Sequence, residues 1–187
     1  MKFKFKIQQY QTDAVENTVA VFTGQPSHRV SEYRRDLGKR SQQQIDFEGE
    51  TGFRNHHIEL DGRTLLKNIN AIQNLYDITP SATLSKGVGA VNLDIEMETG
   101  TGKTYVYIKT MFELNKLYGW SKFIIVVPSI AIREGVAKSF KMLEEHFMEY
   151  YGKKARWFIY NSSNLQQLDS FSSNSGLSVM IINTQAF

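Results

Sequence analysis

The stretch EMETGTGKTY, Glu96 to Tyr105, gathers the residue types that hold a phosphate chain. Glycines at 100 and 102 let the backbone turn tightly and bring several N–H groups close to phosphate oxygens. The ammonium of Lys103 would meet the β- and γ-phosphates, and the hydroxyl of Thr104 suits Mg²⁺. The backbone around Thr99, Gly100, Thr101 and Gly102 would cradle the anion, with Lys103 and Thr104 as the chemically active pair. The usual spacing, G-x-x-x-x-G-K-[ST], asks for glycine at position 97, where this chain has Met97. A residue that closes the preceding strand can turn its side chain away from the phosphates, so the later half of the motif reads as a working site for binding.

Such a loop needs a strand before it and a helix after it, with the positive end of the helix aimed at the anion. NLDIEM (Asn92–Met97) is the candidate strand and GKTYVYIKTMFELNKLYG the candidate helix. Beyond them, KFIIVV (Lys122–Val127) reads as a buried strand. A helix is expected from Ile130 to about Tyr150, with Ile132, Val136, Phe140, Leu143 and Phe147 in period. ARWFIY and SVMIIN are two further strands. Strands alternating with helices predict a mostly parallel sheet covered on both faces.

The front of the chain reads differently. Lys2 to Ile7 alternates apolar and basic residues as a short strand would, and QTDAVENTVAVF has helical spacing that Gly24 and Pro26 stop. From Ser27 to Gly52 the chain is polar, with Arg29, Arg34, Arg35, Lys39 and Arg40; it reads as a solvated loop, with a phosphate-contacting arm as the alternative. GRTLLKNINAIQNLYD is an amphipathic helix with Leu65, Leu66, Ile69, Ile72 and Leu75 on its apolar face. His56 and His57 adjoin without a further ligand at metal-binding spacing and read as surface residues.

A length of 187 residues suits one ordinary domain, or one domain with an attachment. The absence of cysteine excludes a disulfide framework, a thiolate metal site and a cysteine nucleophile, and fits a cytoplasmic protein. A net charge of +3 permits a nucleic-acid partner without demanding one. No apolar run is long enough for a membrane span, so no membrane partner is expected.

ETGTGKT, taken with three other segments, resembles the helicase-like ATPases of superfamily 2, and most closely the Res subunit of type III restriction–modification enzymes. IQQYQTDAV is similar to the adenine-reading segment upstream of the phosphate loop, which implies that Gln11 selects the base, with Tyr10 beside it. FIIVVPSIAIREGV is similar to the family's motif Ia, which implies that Pro128 and Ser129 meet a single-strand DNA backbone. MIINTQAF is similar to motif Ib and implies the same for Thr184. GFRNHHIELDGRTLLKNINAIQNLY is similar to the linker region of these subunits.

The resemblance implies an α/β fold: a partial RecA-like P-loop lobe, with a mostly parallel sheet between helices, plus an N-terminal extension. Residues 1–86 would form the extension, with the adenine reader and linker helix, and 87–187 the incomplete first lobe. It implies ATP and Mg²⁺ as cofactors, DNA and a methyltransferase (modification) subunit as partners, and a parent enzyme that cleaves DNA in an ATP-dependent reaction. The Asp-Glu pair that the family uses for the metal and the attacking water is not in the sequence. The chain is therefore expected to be an N-terminal piece that binds ATP without turning it over at a useful rate. Two other readings use the same motifs: another superfamily 2 DNA motor, such as a type I restriction motor or repair helicase, and a P-loop kinase of small molecules. A kinase would add an acceptor pocket and a basic lid, and the sequence presents neither.

Overall fold

The computed structural model describes residues 5–28, 31–34, 51–85, 87, 89, 91–163 and 165–186. They fall into two compact units, one of residues 1–27 and 57–118, the other of 28–56 and 119–187.

The first unit is helical. α1 (Gln9–Ala20) turns its two buried valines, Val15 and Val19, inward. α2 (Gly62–Leu75) starts at Asp61, whose carboxylate accepts from the Thr64 amide at 2.7 Å. That amide holds the Asp61 carboxyl below its ordinary pKa. Leu65 is buried as the apolar pattern requires, whereas Leu75, placed on the same face, is 72% exposed in the last turn. Asn68 donates to the carbonyls of Val21 (2.9 Å) and Thr23 (3.0 Å), tying α2 to the turn after α1. α3 (Lys103–Tyr118) packs against α1. Tyr118 meets Phe22 edge-on at 6.3 Å and donates to the Val19 carbonyl at 3.4 Å.

Two expected strands are not formed among the described residues of this unit. Asn92–Met97 runs irregularly into the phosphate loop, and so do Phe5, Lys6 and Ile7 ahead of α1; residues 2–4 lie outside the described residues. Alternation marks which face of a segment is apolar, but a strand also needs a neighbour for its N–H and C=O groups. Neither segment pairs with another strand among the described residues.

The second unit holds the sheet. β1 (Ser31–Arg34) and β2 (Thr51–Arg54) form an antiparallel hairpin inside the region expected to be a loop. Arg34 ends β1 on an exposed position; Arg29, Arg35, Lys39 and Arg40 lie outside the described residues. β3 (Lys122–Val127), β4 (Arg156–Ile159) and β5 (Ser178–Asn183) make a parallel sheet in the order β3-β5-β4. α4 (Ile130–Tyr151) covers the face that carries Trp157, where Phe140 stacks on the indole at 5.8 Å. α5 (Leu165–Ser173), a helix too rich in serine and glutamine to stand out in the sequence, lies on the other face, with Phe171 edge-on to Phe158 at 5.9 Å. A parallel sheet with a helix on each face is the architecture of a partial RecA-like lobe. β3 is buried on one face only: Ile125 and Val127 point into the core, while Ile124 and Val126 are 55% and 52% exposed. No helix among the described residues is long and apolar enough to cross a membrane.

Asn55 joins the hairpin to the edge of this sheet. Its Oδ1 accepts from the amides of Ser121 and Lys122, both at 2.8 Å, and its Nδ2 donates to the Lys122 carbonyl at 2.7 Å. One side-chain amide thereby satisfies the start of β3 as a neighbouring strand would.

Lys122 begins β3 half-buried, donating to the Asn174 carbonyl and lying 5.3 Å from the centre of the Phe171 ring. Burial, with the Arg156 charge behind it, brings its ammonium down to about 8. Below that pH the folded and unfolded states are both charged, and the fold carries the desolvation cost. Between about 8 and the ordinary value of 10.5 the native amine is neutral while the unfolded one is not, so stability from this group rises with pH. We expect the stability of Lys122→Met, minus that of the wild type, to fall steadily from pH 7 to pH 10 in urea titrations. A difference that stays flat would contradict this account of Lys122.

Candidate functional site

The phosphate loop leaves the irregular segment at Met97 and enters α3 at Lys103. Gly100 and Gly102 take φ of +82° and +86°, a region that side chains resist. A Cβ on Gly100 would meet nothing within 4 Å, whereas one on Gly102 would stand 2.5 Å from Gln11 Nε2. The two glycines thus serve different ends: Gly100 makes the bend, and Gly102 makes the bend and also admits α1.

Lys103 folds its ammonium back over the loop, donating to the carbonyls of Met97 (2.7 Å) and Glu98 (2.8 Å). The Thr101 hydroxyl donates to the same Glu98 carbonyl at 2.6 Å. Position 97 enters this network through its backbone oxygen, which explains why methionine can replace glycine there. The amide of Val106 bonds back to the Gly102 carbonyl at 3.1 Å, starting α3 inside the loop. Thr104 sits in that first turn, half-buried.

Gln11 comes to the loop from 90 residues away and donates to the Thr101 carbonyl at 2.9 Å. Tyr10 donates to the same oxygen at 3.1 Å. A carbonyl can only accept, so it is the nitrogen of the Gln11 carboxamide that faces the loop. The oxygen Oε1 and the second N–H remain to face a ligand. The structure thus brings together Gln11, Thr99, Gly100, Thr101, Gly102, Lys103 and Thr104. These residues fit a triphosphate: the bend is open at Gly100, a cation stands at its mouth, and a helix of 16 residues begins there. For Mg²⁺ they supply the Thr104 hydroxyl, which suits an ion that keeps most of its ligands as water and phosphate oxygens.

A second cluster forms in the other unit, at the C-terminal ends of the adjacent strands β3 and β5. Ser129 caps α4, accepting from the Ile132 amide at 3.3 Å, which leaves its own proton to donate. Thr184 follows β5, and its hydroxyl lies 3.4 Å from the Pro128 carbonyl. Pro128, Ser129 and Thr184, drawn from two separate motifs, therefore share one strand-end corner. Three residues to which the sequence reading gave no role complete it. Asn183, buried at the end of β5, accepts from Arg133 Nη1 at 3.0 Å, and Glu134 holds the other side of that guanidinium at 2.9 Å. An asparagine directly after the apolar run VMII was the available signal.

His56 is also more than a surface residue: its ring stacks on that of His28 at 4.0 Å. Their separation in sequence concealed the pair.

Residues 4–187 match the family model described as type III restriction enzyme, res subunit. The chain belongs to that family. It is similar to the EcoP15I Res subunit of Escherichia coli, with 38% identity over 110 residues, covering 58% of this chain and 11% of the relative. The EcoPI Res subunit of Escherichia phage P1 matches to the same extent, 38% over 110 residues, again 58% of this chain and 11% of the relative. The StyLTI Res subunit of Salmonella typhimurium is 51% identical over 63 residues, covering 32% of this chain and 6% of the relative. The chain thus spans about a tenth of the length of the first two.

The contact between Gly102 and Gln11 makes a direct prediction. Gly102→Ala adds a methyl group at a left-handed position and against the Gln11 amide, so it should cost about 1–3 kcal/mol in urea unfolding. Gly100→Ala, with open space at its Cβ, should cost less, because it carries the backbone strain alone.

Proposed function

We propose that this chain binds Mg-ATP on the loop from Thr99 to Thr104 and forms the front of the first motor lobe of a DNA translocase. The observation that carries the reading is the meeting of two distant segments: Gln11 is hydrogen-bonded to the one loop whose Lys103 opens a helix. A phosphate loop binds any nucleoside triphosphate, and a carboxamide held beside it adds a choice of base. With its nitrogen tied to Thr101, Gln11 offers one acceptor and one donor. That pair complements the N6 amino group and N7 of adenine, and it mismatches guanine, which presents two acceptors on that edge.

Each residue has a task. The ammonium of Lys103 exchanges two neutral carbonyl partners for phosphate oxygens, which hold it more strongly because they are charged. Backbone amides from Thr99 to Gly102 surround the anion, and Thr104 offers its hydroxyl to Mg²⁺. The metal, when bound, neutralises charge on the phosphate oxygens. Pro128, Ser129 and Thr184 are proposed to meet the sugar-phosphate backbone of DNA, since hydroxyls and helix-start amides at the end of parallel strands suit phosphate oxygens. The division at 86/87 into an extension and an ATPase lobe belongs to the same reading.

The names of the relatives support a parent protein of a restriction–modification system. That parent would translocate on DNA at the expense of ATP and cleave it together with a methyltransferase subunit, in the cytoplasm.

Isothermal titration of the chain with Mg-ATP and Mg-GTP tests the nucleotide half. We expect binding that favours ATP, and a loss of at least tenfold in Lys103→Ala, on the order expected for removing a charged partner of phosphate. A wild type that binds neither nucleotide would overturn the proposal. Gln11→Ala should narrow the gap between the ATP and GTP affinities by weakening ATP more than GTP, since both also lose one anchor of the loop; an unchanged preference would remove Gln11 as the base reader.

A further inference from the structure

We infer that Tyr10 is a positioning residue of the phosphate loop, acting through the carbonyl oxygen of Thr101; this rests on the nucleotide reading above. The Thr101 oxygen receives two donors from the first turn of α1, Gln11 Nε2 at 2.9 Å and Tyr10 Oη at 3.1 Å. The peptide that joins Thr101 to Gly102 is planar and trans, so its C=O and N–H point in opposite directions. Holding the oxygen against α1 therefore turns the Gly102 amide away from α1, and fixes its direction for a phosphate oxygen in the proposed site. Without a Cβ, Gly102 leaves that peptide freer to swing than any other residue would, and the two donors restrain it.

The two donors differ in what else they do. Gln11 has a second N–H and an acceptor for the base. Tyr10 has one hydroxyl proton, and it is spent on Thr101. Its ring is 48% exposed, so packing contributes less to its place than the hydroxyl does. Tyr10 consequently holds the loop whatever base is bound, and its effect belongs to the phosphates rather than to the nucleoside.

Tyr10→Phe in the full 187-residue chain isolates the hydroxyl. Affinities for Mg-ATP and for magnesium tripolyphosphate, which lacks a nucleoside, would be measured by competition against a fluorescent ATP analogue. We expect both to weaken by the same factor, about three- to tenfold for one hydrogen bond, with the ATP-over-GTP preference and the thermal midpoint unchanged. A loss confined to ATP would assign Tyr10 to the nucleoside and overturn the inference, as would affinities that do not move for either probe. A drop of several degrees in thermal midpoint would reduce Tyr10 to a scaffold residue. If the wild type binds the nucleotide and tripolyphosphate not at all, the nucleotide reading fails first and takes this inference with it.

Discussion

A phosphate site of this kind depends on where a few peptide planes point. In the nucleotide site proposed for this chain the deciding plane is the one between Thr101 and Gly102, anchored by side chains from the first turn of α1. Glycine at 102 is required twice over, for its left-handed backbone and for the space that Gln11 occupies. The two requirements make residues 90 positions apart interdependent. A loop that also bonds internally, through Lys103 and Thr101 to the carbonyls of Met97 and Glu98, starts from a defined shape. In the proposed site, binding would exchange one set of partners for another, with less ordering left to be done when the ligand arrives.

The second unit applies the same economy to a different corner. Parallel strands all end at one edge of a sheet, so motifs far apart in sequence reach a common place without any contact being designed for it. Pro128 and Ser129 leave β3 there, Thr184 leaves β5, and Asn183 fixes Arg133 beside them. The guanidinium is held from two sides, which sets the first turn of α4 against the end of β5.

Much of this was legible in the sequence because it is local. The helices around 9–20, 62–75, 103–118 and 130–151 follow from periodic apolar residues and their stops. β3 and β5 were read with their bounds as found, because runs such as KFIIVV and SVMIIN are short, branched and flanked by breaks. What escaped was whatever depends on a partner. Asn92–Met97 alternates like a strand and yet pairs with none among the described residues. The β1–β2 hairpin hides in a polar region because its small strands bury little, and α5 hides behind serines because only one side of it touches the sheet. Gln11 could be named from a motif, but the oxygen that orients it could not, since nothing in local spacing tells which carbonyl a distant amide will find.

Asn55 bears on how the chain is made. Its bonds to Ser121 and Lys122 span 66 and 67 positions, and the first unit's α2 and α3 are synthesised in between. When β2 and Asn55 have been translated, the edge strand β3 that they belong to has not. For that interval the Asn55 amide can be satisfied only by water, and the second unit cannot close until the first has been threaded out ahead of it. The nested order of the segments thus lets the first unit be complete at residue 118, while the second waits for β3 to β5.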